Sequence, residues 1–375
     1  MNFIREYLDG QSGFRMGWTT GIPALDRAIG GIKQKNSYGV AAAPKCGKTR
    51  FVNYAFVISP YLQAEREGRL DEIEWVYFSY EIDRISTEFD FAAFFMYYDY
   101  GVTQFTYEGT IYPMSPTYLK GELYRVIGID SKGHEIKEQI KVQEEHDSML
   151  KDIYVRRIVP IFGEYDADGN KIRPGKIVHY MEVADNPTGM DKFIKWYAAQ
   201  NGQFVMDNVM INGEVKQIPK SWKPNNPKKT HIVITDHIRK PVIERGFNMK
   251  QNVDKWLEYS TATRNMCKFV YVNICHSNRG VANTDRLKFA GEWIFPTADD
   301  VKDTGNLAEE STVLMTLFNP NDEKYNLTRH FGVELGDYPN YRSLHITEAR
   351  YGENIPAHIQ LNMYGGLNLF TPLFP

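Results

Sequence analysis

The stretch Val40-Ala41-Ala42-Ala43-Pro44-Lys45-Cys46-Gly47-Lys48-Thr49-Arg50 constrains the chain more than any other. A short apolar run ends in a tight loop of small residues, then Gly-Lys-Thr, then an apolar, helix-compatible stretch over 51–58. This is the strand, loop and helix order of a P-loop, in which backbone N–H groups and a helix N-terminus wrap a polyphosphate. Ala43, Pro44, Lys45, Cys46, Gly47, Lys48, Thr49 and Arg50 are the candidate nucleotide contacts. Lys48 is expected to reach the β- and γ-phosphates and the Thr49 hydroxyl to bind Mg²⁺. Gly47 is expected to let the backbone pass close to the phosphate, where a Cβ would collide. The position usually held by the first glycine of the pattern is Ala42, at a cost in conformational freedom.

With 375 residues the chain has room for one large α/β domain or two ordinary ones. Aromatic residues make up 14%, which supports a substantial core and excludes a disordered chain. The net charge of −3 means that nucleic-acid contacts must come from local basic patches. Cys46, Cys267 and Cys275 are widely spaced and match neither a disulfide framework nor a zinc site, in keeping with a reducing cytoplasm. No signal peptide and no run long enough to span a membrane is evident.

Residues 1–18 read as an N-terminal arm. Ile22, Leu25 and Ile29 share one face of a short helix that Pro23 starts and Gly30 and Gly31 stop. After the P-loop helix, the apolar run 74–80 ends at Glu81. In a parallel sheet such strand ends converge on the ligand crevice, where Glu81 could polarise the water attacking a γ-phosphate. The run 228–235 is a β-branched strand ending in Asp236, a Walker B arrangement whose carboxylate orders the water shell of Mg²⁺. Between them, Asp130-Ser131-Lys132-Gly133, Asp166-Ala167-Asp168-Gly169-Asn170 and Ile211-Asn212-Gly213-Glu214 read as hairpin turns. Lys171 stands where a calcium loop would need its glycine. The segment 137–157 reads as a solvated, charged helix, 177–183 as a core strand, 191–200 and 254–265 as helices, and 269–275 as a further strand.

Several segments resemble RecA-fold ATPases, and in particular the C-terminal ATPase domain of DnaB-type replicative helicases. These are the Thr19-Thr20-Gly21, Leu25-Asp26 and Gly30-Gly31 lead, Phe78-Ser79-Tyr80-Glu81, His276-Ser277-Asn278-Arg279, the 296–307 segment, and Arg350-Tyr351-Gly352. The resemblance covers 19–99 and 176–375 as an α/β RecA-like core with a mainly parallel central sheet, leaving 100–175 as a β-containing insertion. It implies Glu81 as catalytic base and His276 in place of the glutamine that senses the γ-phosphate. It also implies Arg350 as a finger reaching a neighbour's nucleotide, although Glu348 stands where the family usually has lysine. The implied assembly is a homo-oligomer, usually a hexameric ring, with Mg-ATP between subunits and single-stranded DNA through the centre. Arg239, Lys240, Arg245 and Lys250 after Asp236, with Arg279, Arg286 and Lys288 in the next loop, are the implied DNA contacts. The family's primase-recruiting N-terminal domain is absent from the resemblance, which points to a viral or mobile-element replication protein in a host cytoplasm, with a primase or loader engaged differently. Two other readings fit the same residues: a RecA-like recombination ATPase forming filaments, and a nucleotide-gated scaffold that moves no DNA.

Overall fold

The computed structural model describes residues 4, 17–211, 214–304, 306–350 and 358–374. Most of the expected arm, the tip of the 211–214 turn, Gly305, and Tyr351 with Gly352 lie outside them. Nine strands form one sheet: β1 (Ser37–Ala42), β2 (Ile73–Ser79), β3 (Ile177–Met181), β4 (Thr230–Asp236), β5 (Val270–His276), β6 (Val313–Phe318), β7 (Tyr341–Ala349), β8 (His358–Tyr364) and β9 (Leu369–Pro372). Their spatial order is β9-β8-β7-β6-β1-β5-β4-β2-β3. The six from β6 to β3 run parallel, and β7, β8 and β9 continue the sheet antiparallel.

Apart from the edge strand β3, the parallel strands are buried along nearly their whole length because helices cover both faces. Alternation then sorts their side chains. Trp75, Tyr77, Ile232, Ile234 and Val272 enter one core with Leu25, Phe51, Phe56, Phe91 and Phe95. These last come from α1 (Pro23–Ile29), α2 (Lys48–Val52) with its continuation, and α4 (Arg84–Tyr100). Val76, Phe78, Val233 and Tyr271 enter the other core with Ile194, Tyr197, Trp256 and Leu257 of α5 (Pro187–Asn201) and α6 (Met249–Cys267). Helix α2 widens into a π-type segment over Asn53–Ile58 before α3 (Ser59–Arg66). Strand β2 supports that widening: the Trp75 indole donates to the Phe56 carbonyl at 2.7 Å and the Tyr77 hydroxyl to Asn53 at 3.0 Å. Ahead of α1, the Asp26 carboxylate accepts from Thr19 Oγ1 at 2.5 Å and from the Thr20 backbone N–H at 2.8 Å, which fixes the approach to the sheet.

Between α4 and β3 the chain forms three hairpins: Gln104–Tyr107 with Thr110–Pro113, Tyr124–Ile129 with Glu135–Gln139, and Gly163–Tyr165 with Lys171–Pro174. The last two turn where the aspartate-glycine signals lie. The 137–157 segment departs from expectation. Lys137 belongs to a strand, and the helix Glu144–Ile153, continued by Tyr154–Ile158, is not a freely solvated one. Ile153 and Ile158 are buried in the core, and Arg157 pairs with Asp99 at 2.8 Å and lies over the Phe95 ring. A further ribbon, Gly202–Ile211 with Glu214–Pro224, is almost wholly exposed and is anchored at its base by the Trp222 indole donating to the Ala198 carbonyl. No helix among the described residues is long and apolar enough to cross a membrane.

The antiparallel end of the sheet gathers two buried histidines and a half-buried one. His345 stacks between Phe295, at 4.2 Å, and His358, at 4.7 Å, while His330 contacts the Ile294 carbonyl at 2.8 Å. Burial lowers His345 to about 2 and both His330 and His358 to about 4. The unfolded chain takes up these protons below about pH 6.5 whereas the folded chain does not, so stability present above that pH is lost on acidification. Urea unfolding should show roughly 3 kcal/mol less stability at pH 5.5 than at pH 7.5. His358→Phe should make that loss smaller by about 1 kcal/mol or less, since His358 is half-buried and other buried histidines also contribute; an equal loss in both proteins would refute the assignment.

Candidate active site

The strand order sets the tips of β1, β5, β4 and β2 side by side at one end of the sheet, in that sequence. The P-loop follows β1, His276 ends β5, Asp236 ends β4, and Glu81 lies two residues beyond β2. Register locks them together: Ala42 pairs with His276 and Asp236 with Ser79, and the Tyr80 N–H donates to the Asp236 carbonyl at 2.8 Å.

Within the loop Lys45 has φ +63° and Gly47 φ +98°, so Gly47 sits in a backbone region that side chains disfavour. A Cβ there would meet the Met363 thioether at 2.5 Å. The backbone angle and the Met363 side chain both disfavour a side chain here, in addition to the phosphate approach expected from the sequence. Cys46 turns inward, donating its thiol to the Leu317 carbonyl at 3.2 Å, and burial lifts its pKa to about 12. The Cys46 carbonyl accepts from Arg342 Nε of β7 at 3.2 Å, which braces the loop from behind. Ala42, at the missing glycine, is fully buried in the sheet core. Pro44 and Lys45 are exposed, and Ala43 and Arg50 are half-buried.

Thr49 Oγ1 donates to Asp236 Oδ2 at 2.6 Å, joining the first turn of α2 to the tip of β4. Lys48 Nζ lies 4.0 Å from Glu81 Oε2, and Lys240 Nζ 3.7 Å from Glu81 Oε1. Glu81 thus stands between two cations. Burial raises the Asp236 carboxyl to about 6, with the Thr49 bond and Lys48 opposing the shift.

Four buried polar atoms here have no hydrogen-bond partner among the described residues: Asp236 Oδ1, His237 Nε2, His276 Nδ1 and Ser277 Oγ. Buried polar groups are rarely left unpaired, so their clustering at the strand tips is what a polar occupant would satisfy. Magnesium and a phosphate chain fit that description, with Thr49 and Asp236 as the residues to hold the ion. His237 was not singled out by sequence. Its ring lies 4.4 Å from that of His276, and burial with the neighbouring imidazole pushes its pKa far down. His276 is also lowered, by burial first and then by Lys48, so both imidazoles are neutral at pH 7. The only advance signal for His237 was its place directly after the strand-end aspartate.

The remaining predicted residues separate. Arg239, Lys240 and Arg245 are exposed on the loop after β4, and Lys250 is exposed in the first turn of α6. Arg279 opens a short helical turn after β5, and Lys288 is exposed on the helix Thr284–Ala290. Arg286 is not available in the way expected: its guanidinium binds Asp300 Oδ1 at 2.7 Å and the Phe295 carbonyl at 2.6 Å. Arg350 is exposed, but its N–H donates to the Thr312 carbonyl, and Thr312 in turn donates to Ser37 at the start of β1. It therefore lies one strand length, roughly 20 Å, from its own P-loop.

No protein-family model matches the sequence, and no curated protein resembles it closely enough in sequence to be matched. By fold it is similar to a DnaB-like replicative helicase studied with its primase, at TM-score 0.61 and 13% identity over 99% of this chain. It is similar also to a second solved structure, described as an ATPase domain, at TM-score 0.58 and 13% identity, over 99% of this chain and 96% of that one. The fold is that of a DnaB-type RecA-like ATPase domain. This chain spans 66% of the DnaB-like helicase, so it matches about two thirds of that protein's length.

The geometry of this RecA-like site generates a test at Asp236. Asp236→Asn keeps an acceptor for Thr49 and removes a buried charge, so the unliganded protein should melt at the same temperature or higher at pH 7.5. Its Mg²⁺-dependent affinity for a fluorescent ATP analogue should fall roughly 10- to 100-fold. Unchanged Mg²⁺ dependence would remove Asp236 from the metal site.

Proposed function

We propose that the chain is an ATP-dependent motor of the DnaB type, forming a ring and coupling Mg-ATP hydrolysis to movement on single-stranded DNA during replication. The observation that carries this reading is the row of Lys48, Thr49, Asp236 and Glu81 on neighbouring strand tips beside a group of unpaired polar atoms. Lys48 would leave Glu81 for the β- and γ-phosphates, and the Thr49 hydroxyl would turn from Asp236 toward the ion. Bound Mg²⁺ would neutralise charge on the phosphates. Glu81, released from Lys48, would accept the proton of the attacking water. The neutral imidazole of His276 would hydrogen-bond the γ-phosphate. Arg350, too far from its own P-loop, would complete the site of a neighbouring subunit.

The loops after β4 and β5 leave the same end of adjacent strands. Arg239, Lys240, Arg245, Lys250, Arg279 and Lys288 would contact the DNA backbone there, while Arg286 holds its own loop together. The relation of the DnaB-like neighbour to a primase makes a primase or loader the partner to look for.

Lys48→Ala should lower ATP hydrolysis by about 100-fold or more, and retained unwinding would discard the motor reading. Glu81→Gln should hold ATP without turnover; normal turnover would place the base elsewhere. Arg350→Ala should be inactive alone and recover partly when mixed with Lys48→Ala subunits, each mutant supplying what the other lacks. Absence of recovery in particles of mixed composition would remove Arg350 from the neighbour's site.

A further inference from the structure

The helix Thr284–Ala290 has two faces of different character. Its inner face is anchored: Leu287 and Ala290 pack on Val281, Ile294, Phe318 and Tyr325, and Arg286 is tied to Asp300 and the Phe295 carbonyl. The Ile294 carbonyl is fixed in turn by His330. The outer face presents Asp285, Lys288 and Phe289. Phe289 is 95% exposed, more than any other large apolar side chain in the described residues. Scattered exposed apolar groups are ordinary, but this ring stands almost wholly in water on a short helix pinned by three separate interactions. Its fixed backbone makes the ring a pre-organised surface, so little ordering cost remains when something lies against it.

We propose that Phe289 is a stacking platform for a base of single-stranded nucleic acid, an inference that rests on the single-strand reading above. Three features select this occupant. Lys288 is adjacent and exposed, suited to the phosphate beside a stacked base. The loop from the neighbouring strand tip adds exposed Arg239, Lys240 and Arg245 at the same end of the sheet. Finally, an aromatic ring among cations is how sequence-tolerant single-strand sites are built, since every base has a π-face and every nucleotide a charge. Two acidic groups lie nearby: Asp285, exposed one turn before Phe289, and Glu292, 3.9 Å from Arg329. The cations would hold the strand whatever its sequence, and Phe289 would add a contribution that depends on a base being present.

The test compares a 20-mer of thymidylate with an abasic strand of equal length, by fluorescence anisotropy on the full chain with a non-hydrolysable ATP analogue. The native protein should bind the thymidylate strand more tightly. Phe289→Ala should weaken that binding about 5- to 100-fold while leaving affinity for the abasic strand unchanged. Phe289→Trp should keep the affinity, and its added indole emission should be quenched by the thymidylate strand and not by the abasic one. Equal affinity of native and Phe289→Ala proteins for thymidylate would overturn the proposal. So would an equal loss on both strands with a change in particle size, which would make Phe289 a contact between chains. If the native protein binds neither strand, the single-strand reading itself falls.

Discussion

A parallel sheet delivers all of its strand tips to one end, and the rest of this molecule follows from that constraint. Helices returning over both faces make six strands run the same way. The loops leaving β1, β5, β4 and β2 must then crowd together, although long stretches of chain separate them. The hydrogen bond from Thr49 to Asp236 is the clearest product: it joins residues 187 positions apart, reaching from the helix after β1 across β5 to the tip of β4. No local propensity could place those two residues in contact. Buried apolar strands with a fixed register do so, and they also hold Glu81 and His276 on either side.

That logic explains what was legible in the sequence. Lys48, Thr49, Asp236 and Glu81 could be found because each follows an apolar run whose end is a geometric position. The antiparallel strands β7, β8 and β9 extend the same sheet. What escaped the sequence depended on partners with no regular spacing. Arg286 reads as a basic loop residue until Asp300 is seen fourteen positions on, holding its guanidinium. The 137–157 segment reads as solvated by its charge content, yet Arg157 is satisfied by Asp99 and Glu65 and lies against aromatic rings. Nothing in the sequence beside Gly47 signals Met363, which comes from β8 more than three hundred residues away and also occupies the space of a Cβ there. His237 was hidden by the aspartate it follows.

The segments between the strands have a common design. Several of their charges are paired and their hairpins stand outside the main sheet, so they add surface without disturbing the buried register. The exposed ribbon 202–224 is the extreme case, held mainly at its foot by Trp222 against Ala198, His231 and Phe269. The histidine stack beside Phe295 does something similar for the loop after β5, with His345 buried between two half-buried rings.

The placement of Arg350 gives the molecule a direction. The phosphate-binding turn opens at one end of β1 and the arginine at the other. If Arg350 serves a neighbour's turn as proposed, a two-fold pair would satisfy both sites only by laying the two copies antiparallel. A head-to-tail contact would instead leave one unused end on each side, so it would either repeat without limit or close on itself. On that arrangement the rotation from one copy to the next would decide between a filament and a ring.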